Sequence, residues 1–202
     1  MSGCITIIII AIAVLTASSA FLQIANSQGS FSSDTLSVNT TSSDSSAPAM
    51  KYNAAREQFL DVWDTLGFHP LVATYVNESA ELGNGLYQER SNIFSPGEDI
   101  LLYVQPIGFG HQEIEGQGGE KLYLMNFTAD IVASFANGTV LGGAQNIPIS
   151  DLVSHYRNTE IFLSLLLSQE SPLPQGDYVI NYRVVDQTSG RDFRLSRDIV
   201  IS

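Results

Sequence analysis

A single cysteine, Cys4, occurs in the 202 residues. An intramolecular disulfide is therefore excluded, and a body of roughly 150 residues must hold itself together by burying apolar surface. Basic residues are scarce as well. Lys and Arg total 9 against 21 Asp and Glu, the formal net charge is −12, and Lys51 and Lys121 are the only lysines. No basic residue precedes Lys51. A chain this acidic, without a basic stripe, repels phosphate backbones, so no nucleic-acid partner is expected. Arg183, Arg191, Arg194 and Arg197 are interleaved with Asp186, Asp192 and Asp198. That pattern reads as cross-strand charge pairs on a solvated face.

Motifs that carry chemistry are missing too. A blue-copper site needs a cysteine late in the chain, and Cys4 is the wrong one. There is no Gly-x-Ser-x-Gly elbow, and no dinucleotide fingerprint. Gly119-Glu120-Lys121-Leu122 departs from a phosphate cradle at the positions that matter. Ser154 and His155 are chain neighbours, a poor arrangement for a nucleophile and its base. The three histidines, His69, His111 and His155, are far apart in sequence. The best local metal set is His111, Glu113 and Glu115, whose two-residue spacing would place all three on one strand face. It lies in the glycine-rich stretch GFGHQEIEGQGGEK, and metal capture normally needs ligands from other segments as well. A calcium site at Asp186 and Asp192 competes with simple pairing to the nearby arginines. No catalytic residue and no cofactor is expected, and a metal-dependent hydrolase using His111, Glu113 and Glu115 is a remote alternative.

What the sequence does contain begins with an uncharged run from Cys4 to Ala25. About 20 apolar residues at 1.5 Å each span a bilayer core of about 30 Å. Residues 1–27 are thus expected to be a signal anchor or a cleaved signal peptide. Small residues at Ser18-Ser19-Ala20 and Ala25-Asn26-Ser27 suit cleavage, whereas Met1-Ser2-Gly3 lacks the usual positive charge. The body is expected outside the cytoplasm in either case, tethered by a single-pass anchor or secreted. Residues 28–49 are rich in Ser and Thr and read as a flexible linker. Asn39, Asn77, Asn126 and Asn137 each begin an N-glycosylation triplet. Asn137-Gly138 is also a turn dipeptide, and Asn126 falls within an expected strand.

Residues 50–69 carry Tyr52, Ala55, Phe59, Trp63 and Leu66 at helical spacing, which predicts an amphipathic helix. Gly67 is expected to end it in a left-handed conformation, with Pro70 barring continuation. From residue 70 the period falls to two. Strands are expected at 71–77, 86–90, 98–105, 121–135, 139–146, 159–169, 176–186 and 191–201, with a short helical turn between Pro148 and His155. Turn chemistry separates several of them, at Ser95-Pro96-Gly97-Glu98, Ala136-Asn137-Gly138 and Gln187-Thr188-Ser189-Gly190. The expected fold class is mainly β: an antiparallel sandwich of about seven or eight strands over residues 70–202. Residues 78–85 and 106–120 are expected as loops. The second is expected to present Phe109 and Ile114 to a partner, as Trp63 on the helix would.

The phrases SPGEDILLYVQPIGF, LYLMNFTADIVASFANGTVLGG and PLPQGDYVINYRVVDQTSGRDFRL together resemble exported Ig-like or fibronectin-like domains of archaeal and bacterial surface proteins. The likeness covers about residues 94 to 201 and rests on turns and strand edges. It implies an Ig-like sandwich and carries no catalytic residues. The functional expectation is a binding or structural module of the cell envelope, with a protein or envelope component as partner. The alternative is an accessory subunit of a membrane enzyme or transporter.

Overall fold

The computed structural model describes residues 8–12, 46–77, 82–169 and 171–202. The chain divides into two units, residues 1–15 with 63–202, and residues 16–62. The described part of the second unit is helical. Helix α1 runs Ser46–Thr65, so its last three residues belong to the first unit. It starts earlier than the expected residue 50, because Pro48 falls in the first turn, where an absent N–H costs no helical bond. It also ends earlier. Leu66 N–H donates to Trp63 O at 3.1 Å. Gly67 is not among the glycines with positive φ, so the expected left-handed cap is not how this helix stops. Among the described residues no helix is long and apolar enough to cross a membrane. The expected linker residues 28–45, and all of the expected anchor except 8–12, lie outside the described residues.

The first unit is mainly β. Its strands are β1 (Ile8–Ile12), β2 (His69–Tyr75), β3 (Ile93–Phe94), β4 (Ile100–Ile107), β5 (Gln112–Glu115), β6 (Lys121–Phe135), β7 (Val140–Ser154), β8 (Leu163–Ser168), β9 (Gly176–Asp186) and β10 (Arg191–Ile201). The smaller sheet has the order β1-β8-β4-β2. The larger runs β3-β10-β9-β6-β5, and β7 also pairs with β6. All pairs are antiparallel except β3 with β10.

Both sheets contribute to one core. From the smaller sheet come Tyr75, Ile100, Leu102, Val104, Leu163, Leu165 and Leu167. The larger supplies Phe127, Ala129 and Ile131 of β6, Tyr178, Ile180, Tyr182 and Val184 of β9, and Phe193, Ile199 and Ile201 of β10. The two-residue period in β6, β9 and β10 is this inward row. Strands β4 and β8 are buried on both faces and read as continuous apolar runs. Their second face, with Leu101, Tyr103 and Leu166, carries a smaller cluster packed by Leu82, Tyr87 and Phe162. The Tyr103 ring lies 4.5 Å from Tyr87 and 5.4 Å from Phe162. Its hydroxyl donates to Gly83 O at 2.8 Å and accepts from Gly85 N–H at 2.9 Å.

That packing corrects the expectation of a strand at 86–90. The segment makes only the isolated bridges Val76–Glu89 and Gly83–Leu86. Tyr87 turns down onto Tyr103 of the sheet instead of entering a ladder, while Leu86 stays exposed. The short helical turn expected between Pro148 and His155 is strand β7. Pro148 lies opposite Thr128 beside a register shift, where a proline's missing N–H disrupts no regular rung. The expected loop 106–120 is largely ordered. β4 continues to Ile107, and β5 forms a hairpin with β6, closed where Gly116 N–H donates to Glu120 O at 2.8 Å. Three turns expected from the sequence have the required geometry, with φ of 84° at Gly97, 85° at Gly138 and 71° at Gly190. At the edges the sheets are stitched by Arg197 of β10, whose Nη2 donates to Ala73 O of β2 at 3.0 Å.

Candidate functional site

The outward face of the larger sheet is where polar side chains gather. Register fixes the arrangement. Asp130 of β6 lies opposite Arg183 of β9, and Arg183 lies opposite Arg194 of β10. On one side the neighbouring outward rung is Val132, Asn181 and Ser196. On the other it is Thr128, Val185 and Asp192. Alternation sends these nine side chains outward, while Tyr182 and Val184 go to the core.

The wall of this face is a bulge in β7. Ala129 pairs with Ile147 but Ile131 pairs with Ala144, so Gln145 and Asn146 together oppose Asp130. Asn146 takes φ of 54°, a conformation that Asn tolerates better than most residues. Its N–H donates to Asp130 Oδ1 at 2.8 Å. The other carboxylate oxygen of Asp130 meets Arg183 Nη1 at 3.3 Å, and Arg183 Nε donates to Asp192 Oδ2 at 2.9 Å. The Arg183 guanidinium, with Arg194 adding a weaker pull, holds the Asp192 carboxyl below the usual carboxylate range. The resulting cleft has a volume of about 600 Å³, within the common range for ligand sites. Asp130, Gln145, Asn181, Arg183, Arg194 and Ser196 supply its polar lining.

The remaining charges do not follow the simple pairing that the sequence suggests. Arg191 donates to Leu66 O at 2.8 Å and Arg197 to Ala73 O, so both address backbone carbonyls. Asp186 is fully buried, not solvated. It accepts from Gly110 N–H at 2.7 Å, from Thr188 N–H at 3.0 Å, and from the hydroxyls of Thr188 and Ser189. Asp186 and Asp192 therefore sit on opposite sides of the hairpin and do not converge on a common calcium.

His111, Glu113 and Glu115 are not brought together. His111 Nε2 lies 2.8 Å from Asn158 O, its ring lies against Phe109, and Glu113 forms an ion pair with Lys121. Among the described residues no three His, Cys, Asp or Glu side chains assemble as a metal set. Trp63 and Phe109 are buried with ring centroids 5.0 Å apart, edge to face, and Trp63 Nε1 donates to Phe109 O at 2.9 Å. Ile114 is half-buried on β5. Asn126 is half-buried within β6, whereas Asn137 is exposed in a turn, its Oδ1 accepting from Thr139 N–H at 2.9 Å. Asn77 borders the undescribed residues 78–81, and Asn39 lies outside the described residues.

Burial lowers the His111 pKa, outweighing the hydrogen bond to Asn158 O; Arg157, Asp64 and Asp186 are the charges that face it. The neutral ring is thus favoured in the folded state. Above the ordinary histidine pKa of about 6.5 both states are neutral and nothing changes. As pH falls below that value the unfolded chain takes up a proton that the folded one resists, so stability declines. Urea unfolding between pH 7.5 and 5.5 is expected to show this slope, and His111→Gln is expected to flatten it. An unchanged slope in the variant would place the proton uptake elsewhere.

The fold and face define a mainly β protein with a ligand-sized cleft, lined by polar and apolar groups in about equal measure, on one sheet. No protein-family model matches the chain, and no curated protein is similar to it.

Proposed function

We propose that the protein is a membrane-tethered, extracytoplasmic Ig-like module of the cell envelope that works by binding, with the outward face of the larger sheet as its ligand face. One observation carries the binding role: the register sets Asn181, Arg194, Ser196 and Gln145 around one cleft with hydrogen-bonding capacity left over. The uncharged run from Cys4 to Ala25 has the length a tether needs, and such a tether requires Ile8–Ile12 to leave the edge of the smaller sheet, where β1 pairs with β8. The burial of Trp63 and Phe109 takes two of three proposed contact residues from the surface, so the accessory-subunit reading has less support.

The test is retention of the full chain, held in detergent, on immobilised envelope polymers. The wild type is expected to be retained. A variant combining Asn181→Ala, Arg194→Ala and Ser196→Ala is expected to pass through while keeping its near-ultraviolet dichroism. Equal retention of the two proteins would remove the ligand face. Export also exposes Asn137 to glycosylation. Mass spectrometry after expression in an N-glycosylating host is expected to find glycan at Asn137 and none at Asn126, whose strand position shields it; the reverse pattern would mean that the hairpin turn is inaccessible.

A further inference from the structure

Resting on that ligand face, we infer that the ligand is a carboxylate-bearing saccharide and that Arg194 anchors its acid group. The charges on the face are unequal in their commitments. Arg183 lies between Asp130 and Asp192 and bonds to both, and the Asn146 N–H takes a further oxygen of Asp130. Arg194 comes only within 3.8 Å of Asp192, outside hydrogen-bonding distance, and its side chain is 77% exposed. Its Nε leans toward Asp192, which leaves the two Nη groups of its fork for a ligand on a face whose other ions already serve one another. A carboxylate matches that fork with two parallel hydrogen bonds.

A phosphate fits less well. Its second negative charge would stand against Asp130 and Asp192 on the same face. An acidic peptide fits less well too. Extended peptides are commonly taken up at an open strand edge, and here β9 is paired along both edges, by β6 and by β10. The groups around Arg194 suit hydroxyls: the Asn181 amide and Ser196 hydroxyl in the next rung, and the exposed Gln145 on the β7 bulge. Val132 offers a small apolar surface to the C–H face of a sugar ring. The aromatic residue bordering the cleft is Tyr182, and its side chain is buried in the core. Ring stacking, a main source of affinity for neutral sugars, is thus absent from the lining, and an ionic anchor takes its place.

The experiment is calorimetric titration of the full chain in detergent with three probes: a glucose trisaccharide ending in one glucuronic acid, a neutral glucose trisaccharide, and an end-blocked peptide with one glutamate, of equal charge. The acidic sugar is expected to bind at least tenfold more tightly than either of the others. Arg194→Gln is expected to weaken that binding by about tenfold, and Arg194→Lys to restore only part of it, because a point charge lacks the fork. Equal binding of acidic and neutral sugars, insensitive to Arg194→Gln, overturns the anchor and leaves the ligand face standing. Equal binding of the peptide overturns the saccharide class. No binding of either sugar overturns the inference; if the combined variant is also retained on envelope polymers as well as the wild type, the ligand face falls with it.

Discussion

Asp186→Ala is expected to destabilise the protein by on the order of 4 kcal/mol, because four part-buried donors lose one charged, buried acceptor together. The carboxylate is fully buried and ties the β9–β10 turn to the start of the β4–β5 connection. Two donors are backbone N–H groups, of Gly110 and Thr188, that cannot turn away to water. Gly110 leaves no slack: a Cβ there would lie 2.8 Å from Thr188 Oγ1 and 3.3 Å from Asp186 Oδ2. Asp186→Asn is expected to cost less but still substantially, since its amide NH₂ would face donors. Urea unfolding followed by circular dichroism checks both. A loss below about 1 kcal/mol for Asp186→Ala would mean that water takes over the carboxylate's bonds.

Gly108→Ala is the second large effect, on the order of 3 kcal/mol. Its φ of 69° already disfavours a side chain. The added Cβ would lie 2.4 Å from Gly67 O and 2.9 Å from Leu66 Cβ, so the chain leaving α1 must be pushed away from the end of β4. Gly138→Ala is the control. Its φ is 85° but nothing lies within 4 Å of a Cβ there, so only the conformational cost of about 1 kcal/mol remains. Comparable losses at the two sites would remove the contact argument. Trp63 is the sole tryptophan and donates to Phe109 O next door, so its fluorescence reports the displacement directly.

The sequence made the long regular strands legible. Strands β6, β9 and β10 match their expected bounds because one face is core and the other is polar, which is the condition that produces an alternating pattern. Short or irregular elements escaped it. β3 has two residues and β5 has four, too few for a period to register. β7 contains Pro148 and a bulge at Gln145-Asn146, and both break alternation while the ladder continues. The segment after Val76 has strand-like composition because Tyr87 and Leu82 cover an apolar sheet face. The site was partly legible: Arg183, Arg194 and Asp192 were expected on a charged face. What escaped notice was the register that aligns Asp130 with them, since residues 53 positions apart carry no local signal of their pairing. Asp186 was misread because a charge at a turn normally faces water, and only the surrounding hydroxyls and glycine explain its burial.

The pairing order has a consequence for biogenesis. β4 needs β8, with Ile100 opposite Leu167, and β3 needs β10, with Phe94 opposite Ile201. Contacts so distant along the chain form slowly, and neither sheet can close while the later segments are still unsynthesised. A nascent polypeptide paused after β7 has hairpins but lacks the strands that seal its interior, so it cannot lock until β8, β9 and β10 have been made.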